Sequence, residues 1–168
     1  MRRFLQGFVI GGLAVALLAT TVVVAQQDDL RPRDWLLGAA DDTERWSRIQ
    51  GMFGGFAPAM REVRHYYEGA YESIADDNLE LAQWNWGRIE RSMQDGFMRR
   101  PGRQANGDAI FLDTAWVAVD EALEAGDRPA AQEAFLQARN ACIACHVAEG
   151  RPYFNDQRLF WDTASFDD

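Results

Sequence analysis

Five consecutive residues, Cys142-Ile143-Ala144-Cys145-His146, hold most of the reactive chemistry in this sequence. They include both cysteines of the chain and one of its two histidines. C-x-x-C-H is the attachment pattern of c-type haem. The spacing has a physical basis. Residues three apart share a helix face, so both thiols can reach the two vinyl groups on one porphyrin edge. His146 lies four residues after Cys142, and a neutral imidazole there can turn under the iron as its proximal ligand.

Other readings of the same residues are weaker. A thioredoxin-like pair also uses C-x-x-C, but it normally opens a helix after a strand. This pair closes a helix. A structural zinc site draws on four ligands, and only His65 is left over. A disulfide between cysteines three apart would close a tiny loop and constrain little of the unfolded chain.

The elements that must position the motif follow from hydrophobic periodicity. A weak helical pattern over Thr43–Met52 breaks at Gly51 and at Gly54-Gly55. Phe56, Met60, Val63, Tyr67, Ala70 and Ile74 then form one stripe of a helix over 55–74, with Arg61, His65, Glu68 and Glu72 on the other side. A second helix, over 77–98, carries Leu79, Ala82, Trp86, Ile89, Met93 and Phe97, and ends at Arg99-Arg100-Pro101-Gly102. A third, over 108–125, carries Leu112, Ala115, Trp116, Val119 and Leu123 and stops at Gly126. The fourth opens on Asp127 as N-cap with Pro129 in its first turn, and runs through Phe135 and Ala138 to the motif and Gly150. Strand signals are nearly absent, and Asn106-Gly107, flanked by polar residues, reads as a loop. The expected fold is all-α, an antiparallel four-helix bundle with its cofactor site on the last helix.

The ends of the chain are distinct from this core. Arg2 and Arg3 precede an apolar run from Phe8 to Ala25, which reads as an export signal with a cleavage site after Ala25. The run also reaches the lower limit for a span of about 20 residues, so retention as an N-terminal membrane anchor is the other expectation. Either way the remainder lies in the periplasm. Residues 26–54 read as a leader, 55–150 as the haem domain, and 151–168 as an acidic, aromatic tail that either wraps the bundle or frays. The net charge of −9 and pI near 4.7 leave no basic face for phosphates, so nucleic acid is not an expected partner.

With these elements in place the chain resembles the class II c-type cytochromes, the cytochrome c′ group and its low-spin, methionine-ligated relatives. The resemblance covers about 55–151 and is strongest in Phe135-Leu-Gln-Ala-Arg-Asn-Ala-Cys142-Ile-Ala-Cys145-His146. In small class I cytochromes the motif stands near the N-terminus with a methionine far downstream. Here Met1, Met52, Met60, Met93 and Met98 all precede His146. The resemblance implies one covalent haem c, His146 as fifth ligand and a first helix facing the distal side. It makes Met60, within Gly55-Phe56-Ala57-Pro58-Ala59-Met60, the first choice for the sixth ligand, with Phe56 and Phe135 against the cofactor. Met52 and His65 are lesser choices, His65 because its stripe is polar.

The family often has a basic residue four positions after the histidine. Here Arg151 comes five after, and the tail beyond it is longer than usual. Arg99, Arg100 and Arg103 form a basic cluster that suits either a propionate clamp or the carbonyl end of a helix. The function implied is electron transfer with periplasmic redox partner proteins. The alternative is a five-coordinate protein that binds nitric oxide or carbon monoxide. No nucleophile–base pair stands out, so an enzyme is not expected. Family members often dimerise through their first two helices, which leaves a homodimer open.

Overall fold

The computed structural model describes residues 34–166, and every regular element among them is helical. The segment read as a signal or anchor, with its cleavage site at Ala25, lies outside the described residues. No helix among the described residues is long and apolar enough to cross a membrane. The chain divides into two compact units, with the boundary between Phe53 and Gly54.

In the first unit, Asp34 accepts hydrogen bonds from the backbone N–H groups of Leu36 and Leu37, both at 2.8 Å, and fixes a turn. Helix α1, Asp42–Phe53, follows. Asp41 caps it by accepting from the N–H of Glu44 at 2.8 Å. Arg48 pairs with Glu44 one turn away. Trp46, Met52 and Phe53 are exposed.

The second unit holds the four longer helical runs. α2, Ala57–Ala75, begins with Pro58 in its first turn, where a missing N–H costs nothing. α3, Leu79–Arg99, begins at Asn78, whose side chain accepts from the N–H of Leu81. The two run antiparallel. Phe56 and Ala59, early in α2, meet Gly96 and Phe97, late in α3, whereas Ser73 meets Asn85 near the start of α3.

The third run starts earlier than the periodicity predicts. It comprises α4, Gln104–Gly107, then a π-helix, Asp108–Trp116, then α5, Val117–Glu124. Asn106-Gly107 is therefore helical and not a loop. A Cβ on Gly107 would fall 2.3 Å from the Phe97 ring, so glycine there serves close helix approach and not a turn. π winding holds more residues per turn, which brings Phe111 inward beside Leu112. Trp86 and Trp116 clamp this run to α3: each indole N–H donates to the other's backbone carbonyl, at 2.9 and 3.2 Å. Trp84 is exposed and lies under Arg88.

α6, Arg128–Ala148, opens as expected. Asp127 accepts from the N–H of Ala130 at 3.0 Å, and Pro129 sits in the first turn. The helix closes on Gly150, at φ +68°, with the N–H of Arg151 reaching back to the carbonyl of His146 at 2.8 Å. The tail does not fray. It forms a 3₁₀ turn, Pro152–Asn155, and α7, Arg158–Asp162, and it buries Leu159 and Phe160 in the same core as Trp86, Ile89, Val119 and Phe135.

Candidate haem-attachment site

Cys142 and Cys145 sit three residues apart on the last turns of α6, half-buried and unbridged. Ala141, Cys142 and Ile143 pack against the core. Burial, then the neighbouring Cys145, pushes the Cys142 thiol up to about 12. Burial also raises Cys145, Glu149 adds to the rise, and Arg103 opposes it. The helix C-terminus carries a negative partial charge and disfavours thiolates as well. Exchange-active pairs need the reverse, a lowered thiol at a helix N-terminus. These two thiols are held neutral.

His146 is fixed by the tail. Its Nδ1 lies 2.8 Å from the Oδ1 of Asn155, and the Nδ2 of Asn155 donates to the carbonyl of Ile143 at 3.1 Å. A backbone carbonyl only accepts, so the Asn155 amide is oriented with its oxygen toward the ring. Nδ1 must then carry a proton, and in the neutral ring Nε2 keeps its lone pair. Among the described residues nothing bonds that nitrogen. The edges of Phe154 and Phe160 flank the ring, each 5.8 Å away centroid to centroid.

Beyond the motif, Glu149 accepts from Arg103 and, at 2.8 Å, from Asn106. Arg103 also lies over the Phe56 ring at 5.7 Å. The arginine cluster thus divides. Arg103 joins the end of α6, while Arg100 donates to the carbonyl of Arg99 and Arg99 to that of Asp95.

These contacts set the register between α2 and α6. Arg128, at the start of α6, donates to the carbonyls of Ile74 and Ala75 at the end of α2. Tyr67 and Tyr71 meet Phe135, and Arg103 links Phe56 to Glu149. Met60 stands between Phe56 and Tyr67 on α2. The antiparallel register brings it to the level of Cys142–His146, half-buried against the core.

The other sequence candidates have different surroundings. Phe135 is fully buried two turns before Cys142, among Tyr67, Tyr71, Trp86 and Phe166. Arg151 is exposed and donates to the Tyr153 hydroxyl at 3.4 Å. His65 is exposed beside Tyr66, and Met52 is exposed on α1. No three metal-ligating side chains gather among the described residues, so a tetrahedral zinc site has no ligand set there.

Sequence reasoning missed Asn155, Phe154 and Phe160 because the tail has no periodicity to place them. It also missed Tyr67 as a neighbour of Cys142, although Tyr67 stands on the stripe read from α2. Burial first, and the Cys142 thiol second, hold the Tyr67 hydroxyl protonated well above its ordinary range.

Two free, neutral thiols on one helix face and an imidazole with a bare Nε2 fit covalent attachment and axial ligation of a c-type haem. Compared with protein-family models, with curated proteins and with solved structures, the chain matches none.

Proposed function

We propose that this protein is a periplasmic monohaem c-type cytochrome of the class II kind, an electron carrier and not an enzyme. In this reading α2, α3, the 104–124 run and α6 form one antiparallel four-helix bundle. The observation that carries it is the hydrogen bond between His146 and Asn155 beside the free Cys142 and Cys145, which leaves Nε2 of the neutral ring as the free nitrogen. Such a partner on the second ring nitrogen is the usual companion of a metal-binding histidine.

When bound, the haem supplies a one-electron couple between ferric and ferrous iron, exchanged with periplasmic redox proteins. The residues of the chain do the rest. Cys142 and Cys145 would hold the group by adding their S–H across its two vinyl C=C bonds, sulfur to one carbon and hydrogen to the other, which leaves two thioethers. His146 would hold the iron through its Nε2 lone pair. Met60, at the level of the motif on α2, would supply a thioether to the same iron, and such a ligand raises the reduction potential. Phe56 and Arg103 close the end of the site nearest Glu149. The net charge of −9 steers the carrier toward partners with a basic face, at a rate that falls with salt.

Absorption spectra of the holoprotein in both oxidation states test this reading. Six-coordinate, low-spin ferric iron is expected, with a weak methionine-to-iron band that disappears in Met60→Ala. High-spin ferric iron, together with a ferrous form that takes up carbon monoxide without displacing a ligand, would replace the carrier with a gas-binding protein.

A further inference from the structure

We propose that Asn155 is a positioning residue for the iron-ligating imidazole, and that the chain after Gly150 is a built part of the site. This rests on the haem reading above. The reversal at Gly150 sends the chain back along α6, and the 3₁₀ turn Pro152–Asn155 sets Asn155 one turn beside the motif. There it makes two hydrogen bonds with opposite roles: it accepts from His146 Nδ1–H at 2.8 Å and donates to the Ile143 carbonyl at 3.1 Å. The second bond fixes which end of the amide meets the ring, and so selects the tautomer with a free Nε2.

The strap is anchored well past Asn155. Leu159 and Phe160 are buried. Arg139 of α6 donates through Nε to the Phe160 carbonyl at 2.8 Å. The hydroxyls of Tyr67 and Thr163 lie 3.3 Å apart, and the Tyr71 hydroxyl donates to the Ser165 carbonyl at 2.6 Å. A side chain held from both ends in this way has one place to go, which is what orienting a ligand requires. Its acceptor is a neutral amide. Donation from Nδ1–H makes the imidazole a better electron donor to a metal than it would be beside an apolar neighbour, and a weaker one than it would be beside a carboxylate.

The test compares the full-length holoprotein with Asn155→Leu and Asn155→Asp. A stronger acceptor makes the imidazole a better donor and favours ferric iron. The reduction potential should therefore fall in Asn155→Asp and rise in Asn155→Leu, with wild type between them. The exchangeable Nδ1–H resonance of His146 should be slow to exchange in wild type and in Asn155→Asp, and lost in Asn155→Leu. A merely structural role would shift both potentials the same way. That result, or three equal potentials, would overturn the proposal.

Asn155→Asp is nearly isosteric and carries the test if the leucine variant does not fold. A chain matured beside haem-attachment machinery that still carries no covalent haem would sink the cytochrome reading instead. Ring nitrogen shifts of the haem-free full chain would then still decide on Asn155. His146 in the Nδ1–H form in wild type, and not in Asn155→Leu, supports it; the Nε2–H form in wild type overturns it.

Discussion

Cys142 and Cys145 would be poor exchange cysteines, and the reason lies in where α6 places them. They stand at the carbonyl end of the helix, half-buried, with Glu149 near Cys145 and Cys145 itself near Cys142. Each of these disfavours a thiolate. In the haem-free, reduced protein Cys142 should react with iodoacetamide at pH 8 at least about a hundredfold more slowly than free cysteine, since the thiolate is the nucleophile and its thiol is raised. A rate equal to free cysteine would remove the distinction between a tether and a redox pair. At this scale the sequence was most legible where chemistry is compressed into a short motif: C-x-x-C-H names three residues and their order. Asn155 was not legible. It is nine residues from His146, in a stretch without periodicity, and only the reversal at Gly150 brings the two together.

The helices themselves could be read from their stripes because burial on one face imposes the 3.6 period. Tyr67, Ala70 and Ile74 of α2, and Ala82, Trp86, Ile89, Met93 and Phe97 of α3, are all buried where the period puts them. The third run was misread at its start because its winding departs from that period, and because Gly107 resembles a turn residue while serving as a contact. Two glycine substitutions separate these roles. Gly87 of α3 is exposed with open space at its Cβ, so Gly87→Ala should stabilise the fold by about 0.5–1 kcal/mol through helix propensity. Gly107→Ala gains the same propensity but drives a methyl into the Phe97 ring, and overpacking of that kind costs about 1–3 kcal/mol. Urea unfolding of both variants checks the pair, and a stabilised Gly107→Ala would contradict the close packing of the third run on α3.

Across the whole molecule, burial of ionisable groups sets the alkaline limit. In the reduced, haem-free chain Cys142 and Tyr67 stay protonated when folded, well above their ordinary values of 9.0 and 10.0. Well below pH 9 both groups are almost entirely neutral in both states, and stability barely depends on them. Above it the unfolded chain sheds protons that the folded chain keeps, so stability falls as pH rises, by up to about 1.4 kcal/mol per pH unit for each group. In the proposed holoprotein Cys142 would be a thioether and could not titrate. The decline should then begin about one pH unit later and be shallower, as urea midpoints between pH 8 and 11 would show. The acidic chain, the all-helical unit from Gly54 onward and the motif at the end of α6 fit the exported electron carrier we propose. The tail joins them by supplying the partner of His146.

The most direct measurement is the intact mass of the native protein isolated from a periplasmic preparation, beside the Cys142→Ser/Cys145→Ser double variant. One haem of added mass that survives denaturation, resists thiol alkylation and is absent from the double variant is the predicted result. A native chain at its bare polypeptide mass, with both thiols open to alkylation, would contradict it.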